Sequence, residues 1–191
     1  MMKKLIAGAA LTLTLSFTAT AAQADTLADI LGEPYQFDRN QNDFDIVTSA
    51  LDATGLLPAA ADPNATLTAF LPTDRAFRIL VDDLYGISIK NEEALFDAIV
   101  DTLGPAAVTD VLKYHLVGST LMAADVLAAG DGYQVDTLLD GEYFTLRIRG
   151  KGKYSIRLVD NAVDLRDPIV RITDIEADNG VAHVIDRVLL P

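Results

Sequence analysis

Two histidines and one basic stripe are the side chains best suited to chemistry in this 191-residue chain, which contains no cysteine. His115 follows Tyr114 in Leu112-Lys-Tyr-His-Leu-Val-Gly118, and His183 precedes Asp186 in Val181-Ala-His-Val-Ile-Asp-Arg-Val-Leu-Leu190. An imidazole titrates near neutral pH and can shuttle a proton, bind a metal or hold a hydrogen bond. Both rings sit among apolar neighbours, where a buried polar group needs a fixed partner. That setting predicts a hydrogen-bonded structural pair at Tyr114 and His115, and burial of His183 and Asp186 in the core of a sheet. Known catalytic patterns fail. There is no G-x-S-x-G, no H-E-x-x-H and no phosphate-cradling glycine motif, and the absence of cysteine rules out thiol nucleophiles, thiolate metal sites and disulfides. The 28 acids single out no pair for glycoside hydrolysis. The residues therefore predict no catalysis, no cofactor and no metal.

The acidic runs do not alter that expectation. Asp174, Glu176 and Asp178 alternate like calcium ligands, but counted from Asp174 the glycine stands at loop position seven instead of six, and position twelve is Ile185. Asp160, Asp164 and Asp167 are as loosely spaced. Arg147, Arg149, Lys151, Lys153 and Arg157 fall within eleven residues that contain no acid. Arg147, Arg149 and Arg157 could form a cationic stripe for an acidic polysaccharide, since guanidinium groups make paired contacts to carboxylate or sulfate. The plainer reading is a solvated strand whose charges keep a sheet edge from pairing with other chains.

The first 24 residues carry Lys3-Lys4, an apolar stretch and Ala22-Gln23-Ala24, the three parts of an export signal. Removal of residues 1–24 leaves no stretch long enough to cross a membrane, so a secreted or periplasmic protein is expected. All 28 acids lie beyond that point, against all but two of the 15 bases, giving about −15 of net charge and disfavouring nucleic acid as a partner.

The elements that must hold these residues can be read in order. Residues 25–41 mix a short helical patch with Gly32 and Pro34 and form a lead-in. Phe44, Val47 and Leu51 repeat at helical spacing and Gly55 ends the helix. Residues 66–71 form a strand that Pro72 ends, with Thr73 as the cap of the next helix and Asp74 at its positively polarised first turn. Ala76, Phe77, Leu80, Val81 and Leu84 give that helix an apolar stripe. Helices follow over 92–103, 105–114 and 122–127. After Gly130 the pattern becomes strands: 143–149 and 154–159 around a Gly150-Lys-Gly turn, then 169–175. A closing hairpin over residues 173–190 is expected to turn at Asn179-Gly180, a pair that tolerates the positive φ of a type I′ turn. A helical first half and a stranded second half predict an α+β domain.

Three segments carry a resemblance to a known family: Thr68-Ala-Phe-Leu-Pro-Thr-Asp-Arg-Ala-Phe77, the Tyr114-His115 segment, and Thr173-Asp-Ile-Glu-Ala-Asp-Asn-Gly-Val-Ala-His-Val-Ile-Asp-Arg-Val-Leu-Leu-Pro191. In order and spacing they resemble a fasciclin domain, covering residues 42–191. The resemblance implies a wedge-shaped β-sandwich with helices packed on it, and a non-catalytic role in adhesion or matrix binding. The implied partner is a cell-surface or matrix protein or a polysaccharide. Thr73, Asp74, Tyr114, His115, Asn179, Gly180, His183 and Asp186 are the family-motif residues and are expected to be structural. In animal members of the family the Tyr-His region is linked to integrin recognition, whereas apolar flanks here favour the structural role. The alternative function is an acidic-polysaccharide-binding accessory protein, or a carbohydrate-active enzyme, using the basic hairpin at residues 147–157.

Overall fold

The computed structural model describes residues 25–150 and 154–191. The expected export signal over residues 1–24 and most of the Gly150-Lys-Gly turn lie outside the described residues. The helices are α1 (Leu27–Leu31), α2 (Asp45–Ala53), α3 (Leu57–Ala61), α4 (Asp74–Tyr85), α5 (Glu92–Tyr114) and α6 (Ala123–Ala129). The strands are β1 (Leu67–Pro72), β2 (Leu116–Val117), β3 (Gln134–Asp136), β4 (Tyr143–Arg149), β5 (Ser155–Val159), β6 (Val170–Ala177) and β7 (Gly180–Ile185). The fold is α+β. Among the described residues, no helix is long and apolar enough to cross a membrane.

Local chemistry sets the boundaries. At the end of α2, Gly55 takes φ 71°. Its N–H donates to Asp52 O (2.9 Å) and that of Leu56 to Leu51 O (2.8 Å), the paired bonds of a Schellman stop. The expected breaks near Pro105 coincide with a kink inside α5, where Gly104 leaves helical geometry (φ 76°) and Pro105, lacking an N–H, starts the next run.

Strands β2-β1-β7-β6 form one sheet and β3-β4-β5 a second. β1 and β7 run parallel, placing Phe70 opposite His183 and Ala69 opposite Ala182. Side chains alternate across this sheet. Ala69, Leu71 and Ala182 face a core built with α1, α2, α4 and α5, while Phe70 and Ile185 join Tyr114, Phe144, Leu146 and Leu158 in a second core between the sheets. Phe70 meets Phe144 edge to face, with ring centroids 5.1 Å apart, and this contact joins the two layers. The lead-in is part of the body, since Leu27 and Leu31 are buried in the helical core. The stripe on α4 is shorter than expected. Leu84 is 45% exposed, and with Tyr85, Ile87 and Leu103 it lines an apolar depression of about 170 Å³.

Candidate functional site

His115 closes α5 and is 4% exposed. Its Nε2 accepts the N–H of Leu189 (2.9 Å), which leaves the proton on Nδ1 to be donated to Val111 O (2.7 Å). The Val111 carbonyl belongs to the last turn of α5, where helix carbonyls lack partners along the helix. The ring therefore caps its own helix and fastens the C-terminal segment to it. Burial holds the imidazole down to about 4, against the smaller opposing effect of the Val111 carbonyl. Tyr114 is fully enclosed, and its hydroxyl donates to Tyr143 O (2.8 Å), tying α5 to the second sheet.

His183 has the opposite tautomer. Asp174 N–H donates to Nδ1 (3.2 Å), and Nε2 donates to Leu121 O (2.8 Å). The hydroxyl of Thr68 accepts the N–H of Leu121 (2.8 Å) and donates to Ser119 O (2.6 Å), while the Asp174 carboxylate accepts the N–H of Ala123 (2.8 Å). Thr68, His183 and Asp174 thus lace the connection between β2 and α6 to the sheet. Burial also pulls the pKa of His183 below the usual histidine value. Asp174 belongs to β6. It sits half-buried at φ 59° in an interrupted stretch of the β6–β7 ladder, where the irregular pairing turns it inward.

The closing hairpin exists, but its turn differs from the expected one. Ala177 pairs with Gly180, so Asp178 and Asn179 form the turn, and Asn179 does not adopt positive φ. Asn179 is 1% exposed. Its Oδ1 accepts Leu27 N–H (2.8 Å), and its Nδ2 donates to Ala60 O (2.8 Å) and Asp62 O (3.0 Å). It is an anchor for α1 and the end of α3, and those long-range partners decide its geometry. Gly180 is needed for close approach, since a Cβ there would stand 2.0 Å from the Leu67 carbonyl oxygen. Asp186 was expected inside the core strand. It lies one residue past β7 and is half-buried, with Oδ1 accepting Ile169 N–H (2.8 Å) and Oδ2 paired with Arg171.

Thr73 occupies the cap position of α4 but makes no side-chain cap bond. The carboxylate of Asp74 is not spent on its own helix either. The residue is fully buried, and Oδ1 accepts Ile46 N–H (3.0 Å), capping α2 from across the interface. Asp43 and Asp45 flank Phe44 beside it, and Glu92 and Asp38 lie next in line. One oxygen from each of Asp43, Asp45 and Asp74 lies within 4.8 Å of the others, and the same holds for Asp38, Asp45 and Glu92. Arg78 pairs with Glu92 (2.9 Å). Burial, then neighbouring acids, pushes Asp74 up to about 8 and Asp45 up to about 6. The sequence reading passed over this corner, although Asp38-Arg-Asn-Gln-Asn-Asp-Phe-Asp45 offered the signal.

Arg147 and Arg157 face one another across β4 and β5. Each has a long contact with a carboxylate, Arg147 with Asp131 (3.5 Å) and Arg157 with Asp167 (3.4 Å). Arg149 stands opposite Ser155. β4 is the middle strand of its sheet, but β3 pairs with it only from Tyr143 to Thr145, so the stretch from Arg147 to Arg149 is paired on the β5 side alone. Just ahead of β3, the Asp131 carboxylate accepts the N–H of Ile148 (2.8 Å). A second cationic surface came from residues distant in sequence. Arg75, Arg171 and Arg187, with Asp186 and Thr73, line an open groove of about 590 Å³.

The family model for the Fasciclin domain matches residues 42–191. The chain belongs to the Fasciclin domain family. Its fold is similar to that of a FAS1 domain pair from the insect cell adhesion molecule fasciclin I, with a TM-score of 0.61 and 16% identity. That likeness covers 88% of this chain and 51% of the pair, so the chain spans about half the length of that structure. Protein sll1483 of Synechocystis sp. is 29% identical over 148 residues, covering 78% of this chain and 67% of the relative. The uncharacterized protein sll1735 of the same organism is 26% identical over 147 residues, covering 77% and 89%. Within this fasciclin domain the motif residues do not converge on one pocket. Tyr114 and His115 secure the end of α5, His183 secures the β2–α6 connection, and Asn179 secures the lead-in.

Proposed function

We propose that this chain is an exported, non-catalytic module that mediates adhesion, or contact with the cell envelope or extracellular matrix, through its outer surface. The observation that carries this reading is that both histidines use both ring nitrogens on backbone groups of the interior. No proton-transferring imidazole is left for a reaction. Fasciclin membership supports a binding role. The signal at residues 1–24 supports export to the periplasm or beyond, ahead of a lead-in over 25–41 and a domain over 42–191. The acidic bulk supports a protein or polysaccharide partner over nucleic acid. Thr73, Asp74, Tyr114, His115, Asn179, Gly180, His183 and Asp186 are the framework, and the surface does the binding. The test is saturable binding of the purified protein to isolated envelope or matrix polymers. Turnover of a substrate without such binding would overturn the proposal.

A second reading has its own observation. Arg147 and Arg157 are directly opposite and about half exposed, with only long contacts to Asp131 and Asp167, so a denser anion can displace those partners. This supports an acidic polysaccharide as the ligand of the 147–157 hairpin. Such binding weakens steeply with salt, because screening at physiological ionic strength acts beyond ~8 Å. Binding that is unchanged in the Arg147→Ala/Arg149→Ala variant removes the hairpin from the account.

A further inference from the structure

The corner where α2 and α4 begin holds more negative charge than its surroundings balance. Asp43 and Asp45 come from the start of α2 and Asp74 from the start of α4. Among the described residues, Asp43 Oδ1, Asp45 Oδ2 and Asp74 Oδ2 are buried without a hydrogen-bond partner. Asp74 is completely buried, and its other oxygen is already committed to Ile46 N–H. Backbone bonds fix the corner. Asp74 N–H donates to Asp43 O (3.2 Å) and Arg75 N–H to Gln41 O (2.9 Å), so the three carboxylates converge on a rigid frame.

Two helix N-termini meet here, each equivalent to roughly half a positive charge. Together they offset about one of the three carboxylates. The adjacent Glu92 is matched by Arg78. With all three ionised, about two negative charges would stay uncompensated in a region of reduced dielectric, where an unpaired carboxylate is costly. Two oxygens that each bind one ion at about 2.4 Å can stand at most about 4.8 Å apart. The mutual spacing of the three carboxylates, within 4.8 Å, meets that condition.

We propose that Asp43, Asp45 and Asp74 hold one divalent cation, and that the cation is calcium. The donors are all hard carboxylate oxygens, which excludes thiolate- and imidazole-seeking metals. Their unequal burial and origin on two helices and a loop suit the irregular coordination of calcium better than the strict octahedron of magnesium. Asp45 is half-buried and gives the ion its route from solvent. The ion would join the α2 and α4 starts and so stabilise the helical layer without chemistry.

The test is calorimetric titration of the chelator-treated purified protein with calcium chloride and, separately, with magnesium chloride, paired with thermal unfolding. The expected result is one calcium per chain with a dissociation constant of about 0.1–1 mM, the range of extracellular calcium modules. At 10 mM calcium the unfolding temperature should rise by about 3–10 °C, with a smaller rise in magnesium. Asp74→Asn and the more accessible Asp45→Asn should each remove calcium binding. Because Asp45→Asn is the milder change, it keeps the test informative if Asp74→Asn does not fold. No calcium-dependent heat or stabilisation at 10 mM would overturn the proposal and leave a proton shared between Asp43 and Asp74 as the neutralising species. Equal binding by Asp45→Asn and the wild type would overturn it too.

Discussion

Lowering the pH should destabilise this protein through His115 specifically. The unfolded imidazole titrates at 6.5, and burial between α5 and the C-terminal segment holds the folded one at about 4. Between those values the unfolded chain binds the extra proton, so the stability supplied by a neutral His115 is complete above pH 6.5 and lost as pH falls toward 4. At 1.36 kcal/mol per pKa unit, the loss is about 3 kcal/mol. The assay is urea unfolding of the wild type and His115→Gln at pH 7, 6, 5 and 4. At pH 7 the substitution should cost about 2–4 kcal/mol, because Val111 O and Leu189 N–H lose matched partners in the interior. That cost should shrink by about 3 kcal/mol at pH 4, since only the wild type has this proton to take up. His183 and the carboxylates titrate in both proteins and cancel in the difference. A substitution cost that stays constant from pH 7 to 4 would show that solvent reaches the ring, and the argument for a sealed histidine would fail.

Other expectations follow from the same contacts. Asn179→Ala should lower stability by about 2–4 kcal/mol through loss of its three anchoring bonds, and hydrogen exchange should rise first in α1; unchanged protection there would contradict the anchor. Gly180→Ala should cost more than about 2 kcal/mol, because Leu67 backbone must move to admit the methyl group; an unaltered denaturation midpoint would refute the close approach. His183→Ala should lose about 1–3 kcal/mol by leaving Leu121 O and Asp174 N–H unmatched, measurable by chemical denaturation. Arg147→Ala should change stability by less than about 1 kcal/mol, since its contact with Asp131 is exposed.

The parts of the fold legible from the sequence were those set by local chemistry. Gly55, Pro105 and the spacing of Phe44, Val47 and Leu51 act on their own neighbourhoods, and the helices formed where those signals stood. The alternation of Tyr143 to Arg149 likewise translated directly into the faces of β4. The misreadings involved side chains whose partners are far away in sequence. Asn179 looked like a turn former because Asn-Gly often is one, but its amide is claimed by Leu27, Ala60 and Asp62. Asp74 does stand in the first turn of α4, as expected, but its carboxylate also caps α2, a relationship created only when the two helices pack. The groove lined by Arg75, Arg171 and Arg187 was unreadable for the same reason, as its residues meet only after the parallel β1–β7 pair has formed.

The most direct measurement of the central claim is surface-plasmon binding of the purified protein to immobilised envelope and matrix polymers, for the wild type and for His115→Gln and His183→Gln kept at a temperature where both stay folded. Saturable binding of equal strength by all three proteins, with the polymers recovered chemically unchanged, is the predicted result. A polymer cleaved by the wild type but left intact by either folded histidine variant would contradict it.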